Sequence, residues 1–176
     1  ETLPTDLPVT DQPATDAVVA AAFDAGINFF DVADIYGGPH GRAEALLAKA
    51  LGPRRKEIIL ATKFGAKLGG RGGAAEGGGS RAYIMAAVER SLDLLGTDYI
   101  DLYQHHFPDA GTPQEETLRA LEEVVCQGKV RYIGCSNYTA EQLRRSATIA
   151  EESSGHRYVS AQNRYSLLTR GIEEDL

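Results

Sequence analysis

The chain has 176 residues, of which 43% are hydrophobic, enough for one packed domain over 1–176 and too little for two. A formal net charge of −7 argues against non-specific nucleic-acid binding. No apolar stretch approaches the ~18 residues of a membrane span and no basic, apolar signal segment opens the chain, so a cytoplasmic protein with no membrane partner is expected.

Residues 1–12 carry few apolar positions and read as a loop or ragged end. A helix then runs from about Ala14 to Ala25 and stops at Gly26, and a strand follows at Ile27-Asn28-Phe29-Phe30. A second helix, Arg42–Leu51, stops at Gly52-Pro53 before the strand Ile58–Thr62. Ser80 opens a third helix, with Ile84, Ala87, Val88, Ser91, Leu92 and Leu95 at helical spacing and Gly96 as its stop. The strand Tyr99–Tyr103 follows it. Thr112, Pro113 and Glu115 predict a capping box with proline at the first helical position, and that helix ends at Gly128. The strand Val130–Ile133 comes next, and Thr139 with Gln142 predicts another capping box. The last strand is Tyr158–Gln162.

Each strand-to-strand step is close to the ~30 residues of a βαβ unit. The longest step holds the glycine-rich insert Gly69–Gly79. That insert lacks the Gly-Lys-Ser/Thr ending of a phosphate loop and reads as a flexible rim loop. Five strands of this kind suit either an open α/β sheet or part of a parallel barrel, which needs eight strands and ~250 residues.

In a parallel barrel all strand ends face one rim, and that rim carries the chemistry. Asp31, Lys63 and His106 each follow a predicted strand, and Tyr36 lies five residues after Asp31. A phenol is a poor acid at neutral pH, with an ordinary pKa of about 10, unless a nearby cation favours its ionised form. The Lys63 ammonium is expected beside Tyr36, with Asp31 pairing with Lys63 to keep it charged and placed. Any one of these residues alone suits a rim ion pair or loop packing; together, at matching strand ends, they suit polar carbonyl chemistry. His105 competes with His106 for the role of hydrogen-bond donor to a substrate oxygen. Alternation along a strand lets only one of them face the cavity, and spacing alone does not choose. Ser136, Asn137 and Gln162 are neutral hydrogen-bonding groups on the next two strand ends and match a carboxamide. Ser136 and Asn137 also suit a helix cap, though Thr139 fills that role better. Cys126 and Cys135 lack metal spacing, so reduced thiols and no metal site are expected, with Cys135 packed as a small buried residue.

The segments Gly26–Gly37, Ala61-Thr62-Lys63, Asp101–Asp109, Gly128–Asn137 and Gln162–Leu168 resemble those of the aldo-keto reductases, in order and at family spacing, from about Ala14 to Arg170. The likeness is to the bacterial branch that also resembles the β-subunits of voltage-gated potassium channels. The resemblance implies an eight-stranded (β/α)8 TIM barrel, with the first strand and the last two strands absent from this chain. It implies NADPH bound without a Rossmann domain, and a small-molecule carbonyl as substrate. It implies Asp31, Tyr36, Lys63 and His106 as the catalytic tetrad; the family places its histidine two residues before the proline–aspartate pair, which selects His106. It implies that Ser136, Asn137 and Gln162 hold the nicotinamide carboxamide. The family's nicotinamide-stacking aromatic and its basic loop for the 2′-phosphate are expected beyond Leu176. The implied activity is reduction of an aldehyde or ketone to an alcohol. The alternatives are a cofactor-binding regulatory subunit and an inactive fragment of the same fold.

Overall fold

The computed structural model describes residues 11–37, 41–66 and 78–176. Five strands form one parallel sheet in sequence order: β1 (Phe29–Asp31), β2 (Ile59–Phe64), β3 (Ile100–His105), β4 (Val130–Ser136) and β5 (Tyr158–Gln162). Helices α1 (Gln12–Asp24), α2 (Arg42–Leu51), α3 (Arg81–Leu95), α4 (Gln114–Cys126) and α5 (Ala140–Ser153) alternate with them. Sequential order with a helical crossover at each step is the winding of a (β/α)8 barrel, and the sheet curls as a sector of one. An open doubly wound sheet is thereby set aside, because its strand order reverses at a switch point.

Local chemistry explains most boundaries. Asp11 caps α1, its carboxylate accepting from the Ala14 N–H, so the helix begins at Gln12, inside the stretch expected to be loop. Ser80 caps α3, and Gly96 ends it in the left-handed conformation. Thr139 and Gln142 form the expected reciprocal capping box on α5. The expected box at Thr112 does not form: its hydroxyl donates to Asp109 Oδ2 at 2.7 Å, and Pro113 stands at the N-cap without a side-chain bond. The bond to Asp109, three residues back in the loop, holds the hydroxyl there, and it accepts from no helix N–H. The glycine-rich insert lies mostly outside the described residues.

The core sits between the sheet and its helices. Leu60 and Phe64 of β2, Tyr103 of β3 and Ile133 of β4 belong to one core with Ile84, Val88, Leu121 and Val124 of the helices. A strand paired on both sides and helix-covered on one face alternates between that core and the concave face. The register puts Phe29 and Asp31, Ile59 and Lys63, Leu102 and Gln104, and Tyr132 and Ser136 on the concave face. Its N-terminal half carries the large apolar side chains Phe29, Ile59 and Tyr132, all exposed. Its C-terminal half is polar. Gly134 makes that possible: a Cβ there would collide with Ser160 Oγ and come within 3.1 Å of Gln104 Cγ.

Candidate active site at the C-terminal rim

Asp31 closes β1, and Lys63, the fifth residue of β2, lies one strand away with its side chain fully buried. The two form an ion pair, and Lys63 Nζ also donates to the Val32 carbonyl at 3.2 Å. An ammonium sealed from water needs such a partner, because its hydration is lost and only a nearby carboxylate compensates. Tyr36 hangs over this pair from the turn after β1, which is fixed by the Tyr36 N–H to Ala33 and by the Ala43 N–H to the Tyr36 carbonyl. The Lys63 Nζ lies 5.0 Å from the centre of the Tyr36 ring.

His106 follows β3 directly, its N–H bonded to the Phe64 carbonyl at 2.8 Å. Its ring meets Tyr36 edge-on, at 5.8 Å and 84°, and stacks on Phe107 at 4.5 Å. Burial, and then the Lys63 ammonium, push its pKa down to about 4, against a smaller opposing pull from Asp31. The imidazole is therefore neutral at pH 7, a hydrogen-bond donor rather than an acid. Its Nδ1 is buried with no partner among the described residues.

His105 goes the other way. It lies in the layer beneath the helices, parallel to Phe64 at 4.9 Å, with Nδ1 against the Tyr138 hydroxyl at 2.8 Å. The alternation that spacing could not phase is thus resolved by packing. His105 shares the helix face with Asp101 and Tyr103, and His106 turns to the rim beside Tyr36.

Ser136 ends β4, and its hydroxyl donates to the Gln162 carbonyl at 2.8 Å. Asn137 takes a left-handed backbone (φ 61°), which asparagine tolerates, and its amide reaches the His106 carbonyl at 2.9 Å and Ser136 Oγ at 3.0 Å. Thr139, and neither of these two, caps α5. Gln162 directs its amide to Asp31 Oδ2 at 3.1 Å. These three therefore sit on the same rim as the Lys63–Asp31 pair. Ser136 is buried while Asn137 and Gln162 are exposed, and neutral donors and acceptors of this kind fit a carboxamide, which offers both.

Two polar features escaped the sequence reading. Gln104, on the concave face of β3, donates to Asp31 Oδ1 at 2.9 Å. Its signal was present: alternation placed it on the His106 face, where a fully buried strand has no use for a carboxamide unless it is bonded. The second is a carboxylate pair behind the rim. Asp34 accepts from the Tyr83 hydroxyl at 3.2 Å, and Glu44 from the Thr62 hydroxyl at 2.7 Å. Burial, and then the charge of Glu44, push Asp34 up to about 7, while burial also raises Glu44. The run Asp31–Tyr36 thus sends Asp31 to the cavity and Asp34 back toward α3. No period in so short a turn announces that division.

A cavity of about 420 Å³ lies alongside, walled by Ile35, Ala66, Phe107 and Pro108 with the polar edge of Asp109. Among the described residues no group of three or more His, Cys, Asp or Glu side chains is placed to hold a metal ion. None of the described helices is long and apolar enough to cross a membrane. Both thiols are free, and burial pushes that of Cys135 up to about 12, as befits an inert packed residue.

Comparison with known proteins accords with this arrangement. The chain is 36% identical over 162 residues to the L-glyceraldehyde 3-phosphate reductase of Escherichia coli K12, an alignment covering 90% of this chain and 46% of that protein. It is 41% identical over 163 residues to the probable aldo-keto reductase 1 of Glycine max, covering 91% and 44%. It is 35% identical over 192 residues to aldo-keto reductase AFTS1 of Alternaria alternata, covering 96% and 52%. The chain therefore spans about half the length of these curated relatives. The model of the aldo/keto reductase family matches residues 3–176. With that match over nearly the whole chain, and a parallel barrel sector beneath it, the chain belongs to the aldo/keto reductase family.

Proposed function

We propose that the protein carrying this chain is an NADPH-dependent oxidoreductase that reduces aldehydes or ketones to alcohols, with Tyr36 as general acid. The observation that carries the reading is the convergence of one phenol, one buried ammonium with its carboxylate and one neutral imidazole at a single rim. When bound, reduced nicotinamide supplies the hydride. The protein's part is to place the carbonyl and to give a proton to its oxygen as negative charge builds there. Tyr36 gives that proton from its hydroxyl. Lys63, held charged by Asp31, stabilises the phenolate left behind. His106, neutral, donates an N–H to the carbonyl oxygen and fixes its direction toward Tyr36. Ser136, Asn137 and Gln162 hold the carboxamide of the cofactor. Apolar walls at Ile35 and Phe107 favour a carbonyl with an apolar substituent.

Turnover of the full-length protein against a panel of aldehydes, ketones and aldose phosphates, with NADPH and NADH in parallel, tests this. Consumption of NADPH with one of these carbonyls is expected. Tight cofactor binding with no turnover on any member would instead favour a regulatory cofactor-binding subunit.

A further inference from the structure

Lys63 and Gln104 are register partners on β2 and β3, and both side chains reach the Asp31 carboxylate. Lys63 and Gln162 hold Oδ2, and Gln104 alone among these holds Oδ1. A carboxylate oxygen only accepts, so Gln104 must present its NH2 there, which fixes the orientation of its amide. Gln104 is only 2% exposed, so the bond is shielded from competing water. Gly134, across from it on β4, leaves just enough room for the Gln104 stem. The Asp31 side chain itself keeps 24% of its surface exposed. Without a bond on Oδ1, the carboxylate would be held through Oδ2 alone, by Lys63 and the exposed Gln162, and could pivot about that oxygen.

We propose that Gln104 is a positioning residue of the active site: by tying down Asp31 Oδ1, it keeps the carboxylate aimed at the Lys63 ammonium that serves Tyr36. The proposal rests on the functional reading above and adds to it a residue that acts through Asp31 rather than on substrate. It makes a signed claim about chemistry. A donor is required at position 104, and an acceptor is harmful. Gln104→Leu removes the donor at similar volume. Gln104→Glu supplies a donor only while its carboxyl keeps a proton, and a carboxyl facing Asp31 keeps it above the ordinary range, because two adjacent carboxylates do not both ionise readily.

The test uses both variants of the full-length protein, with Tyr36→Phe as control. One readout is the pH profile of kcat, with the cofactor KM measured alongside. The other needs no turnover: the ¹⁵N signal of the Lys63 ammonium in cofactor-free protein, assigned by its loss in Lys63→Met. Gln104→Leu is expected to lower kcat roughly tenfold or more, as loss of an outer partner does at metal sites, with the cofactor KM within about twofold. Its ammonium signal is expected to shift. Gln104→Glu is expected to approach the parent below about pH 5, where a carboxyl is protonated, and to lose activity as pH rises. A parent-like kcat profile and an unmoved ammonium signal in Gln104→Leu would overturn the proposal and leave Gln104 as packing. Turnover retained by Tyr36→Phe would overturn the functional reading instead, and the ammonium signal would still decide whether Gln104 holds the pair.

Discussion

The Lys63 ammonium is fully buried, and the Asp31 carboxylate is its ion-pair partner. Removing one member of a buried pair strands the other, which costs more than the pair itself contributes. Asp31→Asn is therefore expected to destabilise the protein by about 3–5 kcal/mol. Adding Lys63→Met to Asp31→Asn should return part of that loss. Urea unfolding of the parent, the single and the double variant measures it. Equal stability of the parent and Asp31→Asn would show that the ammonium has another partner.

Lys63→Met should lower the rate of carbonyl reduction, because it removes the positive charge that stands 5.0 Å from the Tyr36 ring as that residue gives up its proton. Steady-state kinetics on the full-length variant check this, with cofactor affinity measured alongside. A variant with the parent's kcat would assign Lys63 a structural part only.

The two adjacent histidines should fail in different ways. His106→Ala is expected to lose activity with little loss of stability, since its ring lies at the rim against Tyr36 and Phe107. His105→Ala is expected to lose mainly stability, by roughly 2–4 kcal/mol, because it deletes a buried ring stacked on Phe64 and leaves the Tyr138 hydroxyl with only its long contact to Tyr158 at 3.5 Å. Steady-state kinetics and thermal unfolding on both variants separate these effects. A larger loss of kcat at His105 would reverse the assignment.

Acid should weaken the fold through these same two rings. Burial pushes both down to about 4, from an ordinary value of 6.5. Between those limits the folded state binds fewer protons than the unfolded chain, so stability rises with pH across that window. It is complete above about pH 6.5 and is lost as pH falls toward 4, by up to ~3 kcal/mol per ring. His105→Phe should flatten part of that slope; a variant with the parent's slope would show that His105 does not contribute to it.

Asp34 works in the opposite sense. Its folded value of about 7 lies above the ordinary 3.8, so the folded state binds more protons across that range, and its ionisation penalises the fold as pH rises. Asp34→Asn is expected to gain on the parent from about pH 4 upward, by on the order of 2–4 kcal/mol above pH 8. Denaturation at pH 5 and pH 8 reads this directly. A gain that is the same at both values would remove burial of the charge as its cause.

Much of this architecture was legible because βα units repeat with clear stops at Gly26, Gly96 and Gly128. Strand ends placed Asp31, Lys63 and His106 at one rim, and the five strands lie parallel in sequence order. Spacing alone could not phase His105 against His106, and only the family resemblance selected His106, because the phase depends on which face of β3 meets Phe64 and Tyr138, residues distant in the chain. The Thr112 cap was misjudged because Asp109, which lies outside any capping pattern, holds the Thr112 side chain in the loop. Gln104 was passed over because a lone carboxamide in a strand carries meaning only once its partner is in view.

Tyr36→Phe in the full-length protein tests the central claim most directly, because it removes one proton donor and leaves the ring that meets His106 and Lys63. The expected result is a fall in kcat for carbonyl reduction of about 10²–10⁴-fold, with cofactor affinity nearly unchanged. A variant that keeps near-parent kcat would contradict the assignment of Tyr36 as the acid.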